Sequence, residues 1–256
     1  MRAIERLIQR ISRKVNIYLR DLNFDAGPYA EDIVPLRQFT RFYGFYGITS
    51  HHPIHFHFSN SSLAGTYFLG QCRVDNAILY KSDVRGDELK SRGDKLVYKG
   101  EDVLLDQDEV IRISDSYLIK TLVHNYSHDL EDPENFVIRG TIAMPYANIH
   151  GAPMEGCFLG SFATADLTKL QKCVLGEYSY VQVGELTHTA VPAGLIWVKA
   201  KDLFEFRYQH DPAVLTDYIV MPPGGRPIGR FMDFEEALQD AFQPCFDQVC
   251  LIHDVK

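Results

Sequence analysis

The chain has 256 residues, a formal net charge of -8, 46% hydrophobic residues and 23% charged residues. That is long enough to bury a core without covalent staples. Its acidic balance argues against nucleic acid as the partner, and no apolar run approaches the roughly 18 residues of a membrane-spanning helix. Five cysteines with no Cys-x-x-Cys pair and no secretory h-region read as reduced thiols of a cytoplasmic protein.

The spacing predicts a helix over residues 1–22. Ile4, Leu7, Ile8, Ile11, Val15, Leu19 and Leu22 recur at three- and four-residue steps, opposite a face carrying Arg2, Arg6, Arg10, Arg13, Lys14 and Arg20. The segment carries +4 on a body of -12. Its apolar stripe is expected to dock on its own domain, with peripheral contact to a membrane surface as the alternative. Residues 23–62 read as irregular and aromatic-rich, with Phe39, Phe42, Tyr43, Phe45 and Tyr46 in core or interface positions. His55 and His57 alternate with Phe56 and Phe58 in a strand pattern, close to His51 and His52.

From 63 to 199 neither a helical nor an alternating period holds. Apolar residues recur six apart in short series: Leu63 and Leu69; Cys72, Ile78 and Val84; Ile113 and Ile119; Val137, Ala143 and Ile149; Val174, Tyr180 and Leu186. There is internal likeness among Tyr67-Phe-Leu-Gly70, Cys157-Phe-Leu-Gly160 and Cys173-Val-Leu-Gly176. A six-residue period of this kind is the mark of a parallel β-helix, in which short strands stack into coils around a narrow aliphatic column. Residues 88–109 and 125–136 read as polar excursions from it, the first as a loop or hairpin. Beyond 200 the period turns helical again. Asp233 with Glu236 forms a capping box, Phe234, Leu238 and Phe242 share a face, and Pro244 opens a last short helix. The expected organisation is an N-terminal segment 1–62, a β-helix 63–199 and a helical segment 200–256.

Several stretches carry a resemblance. Leu79-Tyr80 followed by Val84-Arg85-Gly86-Asp87, then Ile113-Ser-Asp-Ser, then Leu122-Val123-His124, then Ile149-His150-Gly151, and finally Val191-Pro192-Ala193-Gly194 occur in order. Together they resemble the hexapeptide-repeat left-handed β-helix superfamily, and within it the gamma-class carbonic anhydrases. The resemblance covers roughly 63–200. It implies a mainly β fold, a left-handed parallel β-helix flanked by N- and C-terminal α-helices, assembled as a homotrimer around a small-molecule substrate. It also implies zinc or another divalent metal that acidifies a bound water for attack on carbon dioxide. On that likeness His124 and His150 match two metal ligands of one subunit, and Arg85 and Asp87 match an intersubunit pair beside the site. The chain departs from the pattern at two places: Pro145 stands where a third histidine is expected, and Leu118 where a glutamine is expected. His128, four residues past His124, is then the candidate third ligand, with Asp129 as a carboxylate alternative.

A second resemblance is to the acyltransferases of the same superfamily. Tyr126-Ser127-His128-Asp129-Leu130-Glu131-Asp132-Pro133-Glu134 is similar to the stretch that carries their catalytic histidine. It implies that His128 acts as general base on an acceptor hydroxyl that attacks the thioester of CoA. A third expectation is a trimeric β-helix without catalysis that serves as a scaffold.

Overall fold

A computed structural model of the chain describes residues 3–31, 33–39, 44–47, 56–98, 100–125, 135–200, 204–215, 217–220 and 228–229, with separate residues between 232 and 243. Short strands pair in parallel, coil upon coil, into three sheets of nine, six and seven strands. The result is a left-handed parallel β-helix of triangular section. Each coil gives one strand to each sheet. In the regular part Ile149 pairs with Ala165, and Ala165 with Val181, so one coil takes 16 residues.

That number explains the broken phase of the six-residue series. Ile149, Met154, Leu159 and Ala165 follow one another inside the helix at steps of five, five and six. Ile138, not Val137, points inward on its strand. The six-stranded sheet adds a second complication, because it is buried on both faces. Leu79, Leu118, Ala143, Leu159 and Leu175 fill the inside of the coil, while their neighbours Ile78, Tyr117, Ile142, Phe158 and Val174 face outward into a second cluster. The series through Ile78, Ile119 and Val174 therefore mixes inner and outer positions.

The outer cluster is closed by the N-terminal helix, Ala3–Leu19. Leu7, Ile8, Ile11, Val15 and Leu19 bury their side chains against this sheet, so the apolar stripe docks on its own domain. Burial of such side chains contributes about 1.5–3 kcal/mol each. Lys14 Nζ donates to Asp115 Oδ2 at 2.8 Å, and Tyr18 OH to Glu155 Oε1 at 3.2 Å, fixing the helix along its length. Two glycines let it lie close. Gly140 and Gly156 both have positive φ, and a Cβ on Gly156 would stand 2.6 Å from Cγ of Tyr18. Phe158 is covered further by Phe24 and Tyr29, at ring separations of 4.6 and 4.9 Å.

Parallel pairing begins before residue 63. Phe45–Gly47 pairs with Tyr67–Leu69, and Phe56–Ser59 pairs with Cys72–Asp75. Two excursions leave the coils. Lys95–Tyr98 and Glu101–Leu104 form an antiparallel hairpin within the first, as expected. The second leaves after Asn125, and residues 126–134 lie outside the described residues.

The region after 200 needs a correction. Phe204–Gln209 is a strand, not a helix, and runs antiparallel to Leu195–Ala200 to close the nine-stranded sheet. Trp197 on that hairpin stacks under Arg207 and donates to Glu205. Alternating Phe204, Phe206 and Tyr208 give the strand its period of two, which a helical reading overlooks. Met232, Asp233, Glu236, Gln239 and Gln243 are helical; Phe234, Leu238 and Phe242 of the expected apolar face, and the residues from Pro244 onward, lie outside the described residues. Cys72, Cys157 and Cys173 are buried among the coils. Among the described residues no helix is long and apolar enough to cross a membrane.

Candidate functional site

The nine-stranded sheet carries the candidate site residues on its outer face. In its strands from Asp83–Arg85 to Tyr180–Gln182 the middle residue points inward, as Val84, Val123, Ile149, Ala165 and Val181 do. The residues on either side then point outward in two parallel rows. One row runs Asp83, Leu122, Asn148, Thr164 and Tyr180; the other runs Arg85, His124, His150 and Asp166. Parallel in-register stacking brings residues 16, 26 or 39 positions apart side by side, whatever the loops between them.

The second row is the chemical one. His124 and His150 stack with ring centroids 5.0 Å apart and planes inclined by 26°. His150 Nδ1 lies 2.6 Å from Asp166 Oδ1. The other oxygen of that carboxylate, Oδ2, accepts a hydrogen bond from Tyr180 OH at 2.6 Å. Burial, then the hydrogen bond to Asp166, pushes the Tyr180 hydroxyl pKa up, so it remains a donor. An acceptor carboxylate takes a hydrogen bond from His150 Nδ1, and in the neutral ring the lone pair is then on Nε2. The orientation of the His150 ring is thus set by a carboxylate, itself held by a tyrosine.

At the other end of the row Arg85 Nη2 donates to Asp87 Oδ2 at 3.1 Å. His124 Nε2 lies 3.6 Å from Asp87 Oδ1 and 3.9 Å from Glu88 Oε1. Burial raises the Asp83 carboxyl above its ordinary value, against the opposing pull of Arg85.

His124 and His150 are thus brought together in register, beside Arg85 and Asp87. His128 lies outside the described residues, as do Asp129, His51, His52 and His55. His57 stands apart, on a different sheet, 3.4 Å from Asp75. Pro145 sits in the turn before Asn148–His150 and offers no donor, and Leu118 is sealed inside the β-helix. The six-residue series counts Tyr180 among the apolar rung residues, but on its strand Val181 points inward and Tyr180 outward, and Asp166 has no place in the sequence reading. Their signal was present, since Asp166 follows His150 by one 16-residue coil.

A zinc centre needs three or four converging donors. Among the described residues no three His, Cys, Asp or Glu side chains form such a set. The described donor set does not fit a metal held by one chain, and no step through a metal follows from it.

Residues 101–223 match a family model described as a hexapeptide repeat including a loop. A search of curated proteins finds no match. Among solved structures, one from Desulfovibrio desulfuricans G20, provisionally described as an acetyltransferase, is similar at 50% identity and a TM-score of 0.82. The match covers 96% of this chain and 53% of that one, so the chain spans about half the length of that relative. LpxA from Acinetobacter baumannii is similar at 12% identity, over 64% of this chain and 73% of its own, with a TM-score of 0.25. A hexapeptide transferase family protein from Anaplasma phagocytophilum is similar at 16% identity, over 70% and 90%, with a TM-score of 0.24. The last two carry no weight for the site.

Proposed function

We propose that the chain is an acyltransferase of the hexapeptide-repeat superfamily of left-handed β-helix proteins, whose family model its residues 101–223 match. The observation that carries the reading is the 2.6 Å contact of His150 Nδ1 with Asp166, which frees Nε2 to act as general base. Its 50% identity to a protein provisionally described as an acetyltransferase supports it. An acyl thioester such as acetyl-CoA is the donor substrate. His150 Nε2 takes the acceptor's proton as the acceptor attacks the thioester carbonyl; the carbon–sulfur bond then breaks, and the leaving thiolate is protonated. Asp166 steadies the imidazolium formed on the way, and Tyr180 keeps the carboxylate turned toward it. In this reading the protein is a cytoplasmic homotrimer, and sedimentation is expected to give three chains per particle.

The test is acetyl-CoA binding, followed by thiol release in the presence of candidate acceptors. His150→Gln is expected to lower turnover by about 100-fold or more, within the 10²–10⁴ that a positioned base contributes. Unchanged turnover in that variant, or no acetyl-CoA binding at millimolar concentration, refutes the assignment. His128→Ala belongs beside it. If that variant alone loses activity, the base is His128, as the second resemblance implies. Metal-dependent hydration of carbon dioxide keeps one observation in its favour, the register of His124 with His150. It is tested by metal analysis of protein purified without chelator and by loss of the metal in His124→Ala.

A further inference from the structure

Beside the corner where the six-stranded sheet turns into the nine-stranded one lies a cavity of about 430 Å³, lined among the described residues by Arg37, Gln38, Tyr80 and Lys81. It stands apart from the candidate site. Lys81 belongs to the coil of Arg85, whereas His150 lies on the outer face of the nine-stranded sheet two coils further on. Packing places each wall residue. Leu36–Phe39 is a 3-10 turn whose end residues lie against the outer cluster, Phe39 buried in it and Leu36 at its margin. Three residues per turn put those two on one side and turn Arg37 and Gln38 away from it. Tyr80 ends the strand Ile78–Tyr80, with its ring 5.4 Å from that of Phe39. Lys81 takes the corner in the left-handed conformation, φ 49. Gly65, one coil before, leaves room for its stem, since a Cβ there would stand 3.0 Å from Lys81 Cγ.

The hydrogen bonds say what the cavity lacks. Tyr80 OH donates to Gln38 Oε1, which turns the other end of that carboxamide, its NH₂, into a donor with no acceptor among the described residues. Lys81 has neither a hydrogen bond nor a carboxylate among them; the Tyr80 ring, 5.4 Å from Nζ, is its neighbour. Lys120 occupies the same place one coil later and is the contrast, because its Nζ donates to Tyr146 OH at 3.2 Å. Arg37 adds a guanidinium, and no Asp or Glu is among the described residues of the wall. The cavity thus presents two positive charges and a neutral N–H donor, and calls for acceptors and negative charge.

We infer that this cavity binds a phosphomonoester through its phosphate. At neutral pH such a group carries about −1.5 to −2 charges on three acceptor oxygens, which answers two cations and the Gln38 donor together. A carboxylate brings one charge and leaves a cation uncompensated. The guanidinium grips two oxygens at once, and the ammonium acts as a point charge. The volume falls within the about 300–1,000 Å³ of small-molecule sites and exceeds what a free ion fills, so the phosphate is the anchor of a larger molecule. This site goes beyond the acyltransferase reading and does not depend on it.

The test is calorimetric titration of the full chain with phenyl phosphate, inorganic phosphate and sodium acetate at equal ionic strength. Saturable binding of both phosphates at millimolar concentration, and none of acetate, is expected. Lys81→Asn should weaken phenyl phosphate binding by about tenfold, equivalent to about 1.4 kcal/mol, while asparagine tolerates the left-handed backbone. Gln38→Glu keeps an acceptor for Tyr80 but puts a negative charge in the wall, and should abolish binding. Lys120→Gln should leave it unchanged. Circular dichroism reports whether each variant is folded. If Lys81→Asn is not, protection of Lys81 from acetic anhydride by phenyl phosphate in the wild-type chain, read by peptide mass mapping, decides instead. No saturable binding, equal binding of acetate, binding of inorganic phosphate with exclusion of phenyl phosphate, or binding that Lys81→Asn and Gln38→Glu both leave intact overturns the inference.

Discussion

Replacing Gly156 by alanine tests how closely the N-terminal helix is bedded on the coils. Gly156 has φ +67, and an alanine there meets Cγ of Tyr18 at 2.6 Å, Cβ at 2.8 Å and Cδ1 at 3.0 Å. The left-handed backbone costs alanine about 1–2 kcal/mol, partly offset by about 0.4–1 kcal/mol from a stiffer unfolded chain. Overpacking adds about 1–3 kcal/mol. The base of a tyrosine side chain cannot swing clear as its ring tip can, so the helix itself must lift. The expected destabilisation is about 2–4 kcal/mol, read from urea unfolding followed by circular dichroism. Gly93→Ala is the control. It has φ +91 with nothing within 4 Å of its Cβ, and should cost about 1 kcal/mol for the backbone alone. Gly140→Ala should fall between them, because its new Cβ meets Cε2 at the far side of the ring, at 3.0 Å. Adding Tyr18→Ala to Gly156→Ala removes the ring and leaves only the 2.8 Å contact with Cβ, so the pair should couple by about 1 kcal/mol or more. A Gly156→Ala cost no larger than that of Gly93→Ala, with no coupling to Tyr18, refutes the reasoning.

Asp166→Asn keeps the shape of the side chain but cannot accept from both His150 and Tyr180 through charged oxygens; turnover in the thiol-release assay should fall by about 100-fold or more while the urea midpoint moves little. Arg139→Ala bears on acid stability. A hydrogen bond from the Arg139 guanidinium holds the Glu155 carboxyl below its ordinary value. That pair therefore stabilises the fold above the ordinary glutamate value and stops doing so as pH falls through the depressed one. The difference in urea midpoint between wild type and Arg139→Ala should accordingly be present at neutral pH and vanish in acid, and a constant difference counts against the pair. Cys72 is sealed inside the coil, and burial pushes its thiol up to about 12, so iodoacetamide at mildly alkaline pH should label it only after unfolding, as peptide mass mapping would show.

The β-helix was legible because its inward residues are aliphatic at nearly regular steps, and because Arg85, His124 and His150 sit where stacked strands make them neighbours. The six-residue period was a poor ruler for two physical reasons. Corners taken with residues such as Tyr146, Phe162 and Tyr178 in the left-handed conformation shorten the coil to 16 residues. The sheet under the N-terminal helix is apolar on both sides, so Ile78 and Leu79 look equally internal. A better ruler was in view: Cys157-Phe-Leu-Gly160 and Cys173-Val-Leu-Gly176 are 16 apart, and Phe158 pairs with Val174. Laid on His150, that interval points to Asp166. The glycines of the motif have their own reason, since a Cβ on Gly160 or Gly176 would strike the backbone of the next coil at 2.6 or 2.3 Å. The strand Phe204–Gln209 was hidden because its partner, Leu195–Ala200, looked like the end of the helix rather than half of a hairpin.

A stack of coils in which each touches only the next can unravel from either end, one layer at a time. The 17-residue N-terminal helix spans about 25 Å, and five parallel strands at about 4.8 Å spacing cover about 19 Å. Its stripe shares one cluster with Ile78, Tyr117, Ile142, Phe158 and Val174, one residue from each of five successive coils. The helix thus acts as a splint. No coil beneath it can peel away unless the splint lifts from all five, so a column of separable layers melts as one cooperative body.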